Sequence, residues 1–376
     1  MDKNVRFKKT TTNSFFGNFL YGQIIDKNHF LIKAKEIVNW DRFTKRCLKW
    51  YKGFGQYGAP PYNPSVLLRM LFISYLYNIS ERETETMIND SISMKCFLDL
   101  GIDQPAPDHS TLTYFKERLI SGGGKSAYDE LLREILNQAE NKGVEFGPIH
   151  VVDATHTVAD VNTDKDKRRK KQENKTARDE DAAWGVKHVK EVKNIETGKT
   201  EKQKECFHGF KGHVSINAKT NLITAITTTS GNEPDNKQFV KLTNKDNWVK
   251  GLVRDRTYAA DRGYDDGNIH EYLKDKKFGN AIKLKKTRIA PIWQELRKSE
   301  KHQDGLKERY KIERKFGELK QSHGLKRCRY LGLVKYHAQL TLTALAVNLK
   351  VVVASMTGST LKGYAYAGNS IWSSST

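Results

Sequence analysis

Cysteine is scarce. The four thiols, Cys47, Cys96, Cys206 and Cys328, lie far apart and form no Cys-x-x-Cys pair, so neither a disulfide framework nor a redox motif is expected. Cys206, His208 and His213 are near enough in sequence to raise a zinc question, but no second pair stands at structural-site spacing. The charged N-terminus carries no secretory segment, which predicts reduced thiols in a cytoplasmic protein. Long hydrophobic runs are missing as well. The most apolar one, Leu340 to Val353, is broken by Asn348 and Lys350 and is too short for a bilayer. It reads as a packed helix, and no membrane partner is expected. Gly122-Gly123-Gly124-Lys125-Ser126 invites a nucleotide-binding reading, but a phosphate loop needs a glycine where Leu119 stands. That segment reads as a linker.

Acid is the minority charge. Against 44 Asp and Glu there are 65 Lys and Arg, giving a net charge of +21, and the pI is near 9.6. Such an excess points to a polyanionic partner, nucleic acid first. Hydrophobic content is only 38% in a chain of 376 residues, long enough for two domains with real cores. Extended basic surface accounts for the shortfall.

Residues 1–146 read as an all-helical domain, a candidate for binding DNA ends. Asn63-Pro64 is a helix start, Ser80 with Glu83 is a capping box, and a third helix begins near Ser110. These short helices could present one of their number to a DNA groove or form a plain bundle. Residues 147–330 alternate differently. A strand leads to Asp153; a polar, basic loop spans 160–205; a hairpin runs from His213 to Thr228; and strands and helices then alternate as far as a helix around Glu313. This order predicts an α/β fold, a mixed sheet with flanking helices. Residues 331–376 read as a C-terminal helix and a loose tail.

Three acids stand out. Asp153 follows Ile149-His150-Val151-Val152 and Asp261 follows Thr257-Tyr258-Ala259-Ala260, each at what reads as the end of a strand. Glu313 shares a helical face with Arg309, Phe316 and Lys320, all within roughly 60° at 100° per residue. Taken singly, a strand-end Asp is a turn former or N-cap, and Glu313 an ion-pair partner of Arg309. Taken together they suit phosphoryl chemistry, in which two divalent ions about 3.5–4 Å apart stabilise attacking and leaving oxygens. Magnesium accepts a few carboxylates and keeps its waters. Asp160 in the loop, Asp265 and Asp266 after a turn, and Glu308 and Glu318 about 140° around the helix fit less well. The cations Lys167, Arg168, Arg169, Lys170 and Lys171 are a solvated loop that also suits DNA phosphates. Trp184 in that loop either anchors it or stacks on an unpaired base.

These residues resemble the DDE transposases of bacterial insertion sequences, in the group whose last motif is Tyr-x2-Arg-x3-Glu-x6-Lys. Arg309, Glu313 and Lys320 keep that spacing, with Leu306 in place of the tyrosine. The resemblance extends to Pro107-Asp108-His109-Ser110, Val152-Asp153-Ala154-Thr155, His208-Gly209-Phe210-Lys211-Gly212-His213, Ala260-Asp261-Arg262-Gly263-Tyr264 and Asn348-Leu349. It implies an RNase H-like core that holds two Mg2+ or Mn2+ ions on Asp153, Asp261 and Glu313. It also implies Arg309 and Lys320 on DNA phosphates, cleavage at terminal inverted repeats, joining of the 3′ hydroxyl to target DNA, and a dimer or higher oligomer on the nucleoid. A nuclease that cuts without joining, and a DNA-binding protein without catalysis, remain the alternatives.

Overall fold

A computed structural model describes residues 6–10, 15–51, 58–171, 176–193 and 200–357. Within it the chain divides into two units, Met1–Val144 with Leu342–Thr376, and Glu145–Thr341. The second unit therefore takes in the first turns of a helix that the sequence reading assigned to a separate C-terminal segment.

The helical unit contains α1 (Phe15–Ile24), α2 (Phe30–Ile37), α3 (Trp40–Cys47), α4 (Pro64–Tyr77), α5 (Glu81–Asp90), α6 (Ile92–Phe97) and α7 (His109–Asn141). Asn63 caps α4 with Pro64 in its first turn, and the Ser80–Glu83 capping box is formed at α5. Both starts follow from local chemistry alone. Every residue of α4 from Pro64 to Tyr75 is buried, so this helix is the centre of a bundle and has no face to offer a groove. The triple glycine is not a linker. It lies inside α7, which kinks at Gly124 (φ 54°, ψ −137°), and a Cβ on Gly122 or Gly123 would meet the Trp50 indole at 2.6 or 2.8 Å. Close approach of an aromatic ring, rather than chain flexibility, accounts for these glycines.

The second unit is built on β1 (Ile149–Val158), β2 (Ala183–Lys193), β3 (Thr200–Asn217), β4 (Ile223–Ser230), β5 (Thr257–Ala260) and β6 (Gly279–Ile282), with α8 (Thr163–Lys171) between β1 and β2. The sheet order is β2-β3-β1-β5-β6, and β4 pairs β3 on its other side. β3 runs antiparallel to β1 and β4, whereas β5 is parallel to β1 and β6 to β5. The five strands β4-β3-β1-β5-β6 thus have the RNase H-like order expected. The supposed loop 160–205 holds α8, β2 and the start of β3. From Gly209 back to Thr200, β3 pairs with β2, a ribbon whose polar sequence gives no buried-strand signal.

Helices cover both faces. α9 (Phe239–Asp246) and α10 (Gly267–Asp275) enclose a core of Val152, Phe239, Leu242, Tyr258, Ala260, Tyr264 and Ile269. The other face carries α12 (Glu300–Glu308), α13 (Tyr310–Gln321) and the start of α14 (Leu333–Thr357), with α11 (Pro291–Lys298) against α12. α14 approaches closely at Gly212, where a Cβ would lie 2.6 Å from Leu340 and 2.9 Å from the Tyr336 hydroxyl. α14 is long and apolar enough to cross a membrane by length and composition, but 67% of its apolar stretch is buried in the protein. That makes it a core helix, longer than the apolar run suggested.

Candidate active site

The strand β1 does not stop at Asp153, as its apolar run suggests. It continues to Val158, pairing with β3 down to Gly209. What ends near Asp153 is the neighbouring strand. β5 pairs with β1 only through Ile149–Val151 opposite Thr257–Ala259 and finishes at Ala260. Two residues beyond the Val151–Ala259 pair on each chain are Asp153 and Asp261, and Asp261 is still extended (φ −76°, ψ 179°). Parallel neighbours lie about 4.8 Å apart and alternate faces together, so the two carboxylates stand level on one face at the carboxyl edge, where β1 lies between an antiparallel and a parallel partner. Ligand crevices in open α/β sheets form at such edges.

Asp153 is poorly compensated there. Its Oδ1 accepts one hydrogen bond, 2.8 Å from the Ala154 N–H. Burial, followed by repulsion from Asp261 and Asp235, pushes its carboxyl up to about 7 against the opposing pull of that bond and of Arg309. Asp261 performs the turn duty read as its plainer role, accepting from Gly263 N–H at 2.8 Å.

The helical acid comes from the same face. α13 packs against β1, anchored by buried Ile312, Phe316 and Leu319. Its exit is tied to the strand by Val158 N–H to Lys326 O at 3.0 Å and by the Thr157 hydroxyl to Leu325 O at 3.0 Å. Arg309 sits at the α12–α13 junction with helical backbone angles (φ −59°, ψ −32°), within electrostatic reach of Asp153. Glu313 is exposed in the first turn of α13. Its neighbouring acids are engaged elsewhere, Glu308 with Lys311 and Glu318 with Lys315. Among the described residues, the oxygens of Asp153, Asp261 and Glu313 do not all come within 4.8 Å of one another; the one group so close is Glu85, Asp108 and His109 in the helical unit. There, Asp108 is the N-cap of α7 and His109 is 2.7 Å from Glu85, a helix-start network.

The rival acids all have structural duties. Asp160 takes Arg327 at 2.9 Å; Asp266 caps α10; Asp265 is buried among donors. Sequence reading missed Asp235. It opens the 3-10 turn Asp235–Gln238, bonds Lys211 at 2.9 Å and adds to the negative field on Asp153. Its only signal was a Pro-Asp pair after a strand, which is also an ordinary helix start.

The cations differ in exposure. Lys320 is half-buried; burial, then repulsion by Lys187 and Lys326, lowers its ammonium to about 8. Lys167, Arg168, Arg169 and Lys171 are exposed on α8; the side chain of Lys170 lies outside the described residues, as does the tail from 358 onward. Trp184 is 52% exposed on β2, with the His208 ring at 5.3 Å and Lys167 5.9 Å above it. The zinc set is not assembled. Cys206, His208 and His213 do not come together as a cluster within 4.8 Å, and His213 is buried against Thr229 at 2.8 Å.

An all-oxygen donor set, with one carboxyl held out of water beside two other anions, fits a hard divalent cation. Residues 19–118 match the Transposase domain (DUF772), and residues 146–349 match the Transposase DDE domain. Among solved structures the chain is similar to the cryo-EM structure of piggyBac transposase synaptic complex with hairpin DNA. Identity is 12%, the match covers 72% of this chain and 54% of that one, and the TM-score is 0.32. The chain thus spans about half the length of that relative.

Proposed function

Because the chain belongs to the family defined by the Transposase DDE domain, we propose that it cuts DNA at the terminal inverted repeats of a mobile element and joins the freed 3′ hydroxyl to target DNA. The observation that carries this reading is the register that sets Asp153 level with Asp261 at the open edge of the sheet, beneath the helix that bears Glu313. Asp153, Asp261 and Glu313 would hold two Mg2+ or Mn2+ ions. Such ions lower the pKa of water and stabilise the attacking and leaving oxygens of an in-line displacement.

The chain's own side chains do the rest. Arg309, within electrostatic reach of Asp153, would grip a phosphate oxygen there, and Lys320, two turns beyond Glu313 on α13, would take a second phosphate. The exposed cations of α8 track the backbone farther out. In the first step a water oxygen attacks the scissile phosphorus and the 3′ oxygen leaves with a proton. In the second, that 3′ hydroxyl loses its proton, attacks a target phosphorus and displaces a target-strand 3′ oxygen. Pairing of two ends calls for a dimer or higher oligomer, and the site of action is the nucleoid of a bacterial cytoplasm.

Incubation of the protein with labelled terminal-repeat DNA and Mn2+ tests the proposal. Joined products support it; cleavage without joining reduces it to a nuclease; binding alone removes catalysis. Retention of wild-type cleavage by Asp153→Asn refutes the assignment of the site.

A further inference from the structure

Ile289 and Ile292 are 75% and 63% exposed, and α11, which begins between them, has no buried residue at all. Nothing in the core accounts for these side chains. Isolated exposed apolar residues are ordinary; this pair differs in being held rigidly and ringed by positive charge.

The segment that carries them leaves β6 at the edge where Asp261 leaves β5, because Ala260 pairs with Ile282 and Lys283 N–H donates to Ala260 O at 3.0 Å. It is pinned at its base by Asp265, whose carboxylate accepts from Lys285 N–H at 2.6 Å and Arg288 Nε at 3.1 Å. Arg297 closes it from the far side, donating to Arg288 O at 2.8 Å and Lys285 O at 3.1 Å. Trp293 packs between Arg288, 4.6 Å from its ring, and His270 at 4.7 Å. Residues 283–298 contain six cations, Lys283, Lys285, Lys286, Arg288, Arg297 and Lys298, against the single acid Glu295. A rigid apolar tip on a cationic base, beside the carboxylate edge, matches the chemistry of a side-chain wedge. In such wedges isoleucine seats against or between base steps while cations hold the phosphates.

We propose that Ile289 and Ile292 form a wedge that seats against the base stack of the DNA end held at the Asp153–Asp261 edge and unstacks it next to the scissile phosphate. The charge around the tip selects a polyanion with apolar faces over a second copy of this chain, which carries a net charge of +21 and would be repelled. The inference rests on the proposed function, and its test separates the two.

The probe is a short duplex of the terminal repeat flanking the coding region, carrying 2-aminopurine at successive positions around the cut. Wild-type protein raises the fluorescence at one or two of those positions. Ile289→Ser with Ile292→Ser returns it to that of free duplex, while affinity by anisotropy falls no more than about fivefold and the melting temperature is unchanged. Cleavage of the duplex by wild-type protein without any fluorescence rise overturns the wedge and leaves the proposed function standing. An undiminished rise in the double variant also overturns it. A fall in sedimenting mass with fluorescence unaltered assigns the tip to contact between copies instead. Failure of wild-type protein to bind or cut the duplex overturns both readings.

Discussion

Two carboxylates near the same sheet edge are shifted in opposite directions: that of Asp265 ionises below the usual range, whereas that of Asp153 is pushed up to about 7. Burial acts against ionisation in both. At Asp265 the Lys285 N–H, His270 and Arg288 outweigh it; at Asp153 one backbone N–H and a distant arginine do not, and two more anions add to the penalty. Donors set the sign at Asp265, and at Asp153, where they are few, burial sets it. The shortage of donors at Asp153 is what the proposed cation site would exploit, because a hard divalent ion would supply the compensation that the chain does not.

The strongest way to break this comparison is to remove each charge. Asp153→Asn should lower cleavage by about 10³-fold or more, the rate equivalent of about 4 kcal/mol of lost transition-state stabilisation, and should leave the melting temperature equal or higher. Asp265→Ala should do the reverse to the fold, costing about 1–3 kcal/mol in urea unfolding because the buried His270, the Lys285 N–H and Arg288 Nε lose their acceptor. A variant pair in which Asp153→Asn is the less stable protein would mean that both acids are structural.

pH sharpens the same contrast. In metal-free protein the folded-state value for Asp153 lies above the unfolded one, so the folded chain keeps a proton that the unfolded chain has lost. Stability should therefore fall as pH rises from about 4 to about 7, and Asp153→Asn should remove that slope. Asp265 is depressed, so its contribution is present above the unfolded value and is lost as pH falls through the folded one, below about 4. Urea midpoints across that range, for wild type and both variants, read the two opposite slopes.

Sequence carried the parts of the fold that depend on neighbours along the chain. The caps at Asn63 and Ser80, the hairpin around Asn221 and the short strand ending at Ala260 are each decided within a few residues, and each forms as read. What stayed hidden depends on partners far away. Thr155, His156 and Thr157 lie beyond the strand end expected at Asp153, and are strand because β3 lies alongside them. The β2–β3 ribbon is polar along its length, and Gly122–Gly124 read as a linker until Trp50 is placed against them. Asp235 is an ordinary helix opener until the fold brings it near Asp153 and Lys211. The level placement of Asp153 and Asp261 was within reach of the sequence, but only once the parallel register of β1 and β5 is known.

The cations divide as the carboxylates do, into those that are solvated and those that are not. On α8, Lys167, Arg168, Arg169 and Lys171 are in water and act as a diffuse field. Changing all four to Gln should reduce the slope of log K against log salt by about 3–4 for duplex DNA, with little dependence on sequence. An unchanged slope would take α8 off the DNA path.

Lys320 is the opposite case and gives the smallest effect. Burial and the charges of Lys187 and Lys326 bring its ammonium to about 8, so in free protein it loses its proton across the range from 7 to 9. A DNA phosphate beside it would favour the charged form, and binding would take up a proton. Affinity for duplex DNA measured by anisotropy at fixed ionic strength should then fall several-fold between pH 7 and pH 9, about 1 kcal/mol. Lys320→Arg, whose guanidinium stays charged throughout, should flatten that profile, and Lys320→Gln should flatten it at the weaker, high-pH level. A profile that keeps its slope in both variants would place the titrating group elsewhere and leave Lys320 as a packing residue of α13.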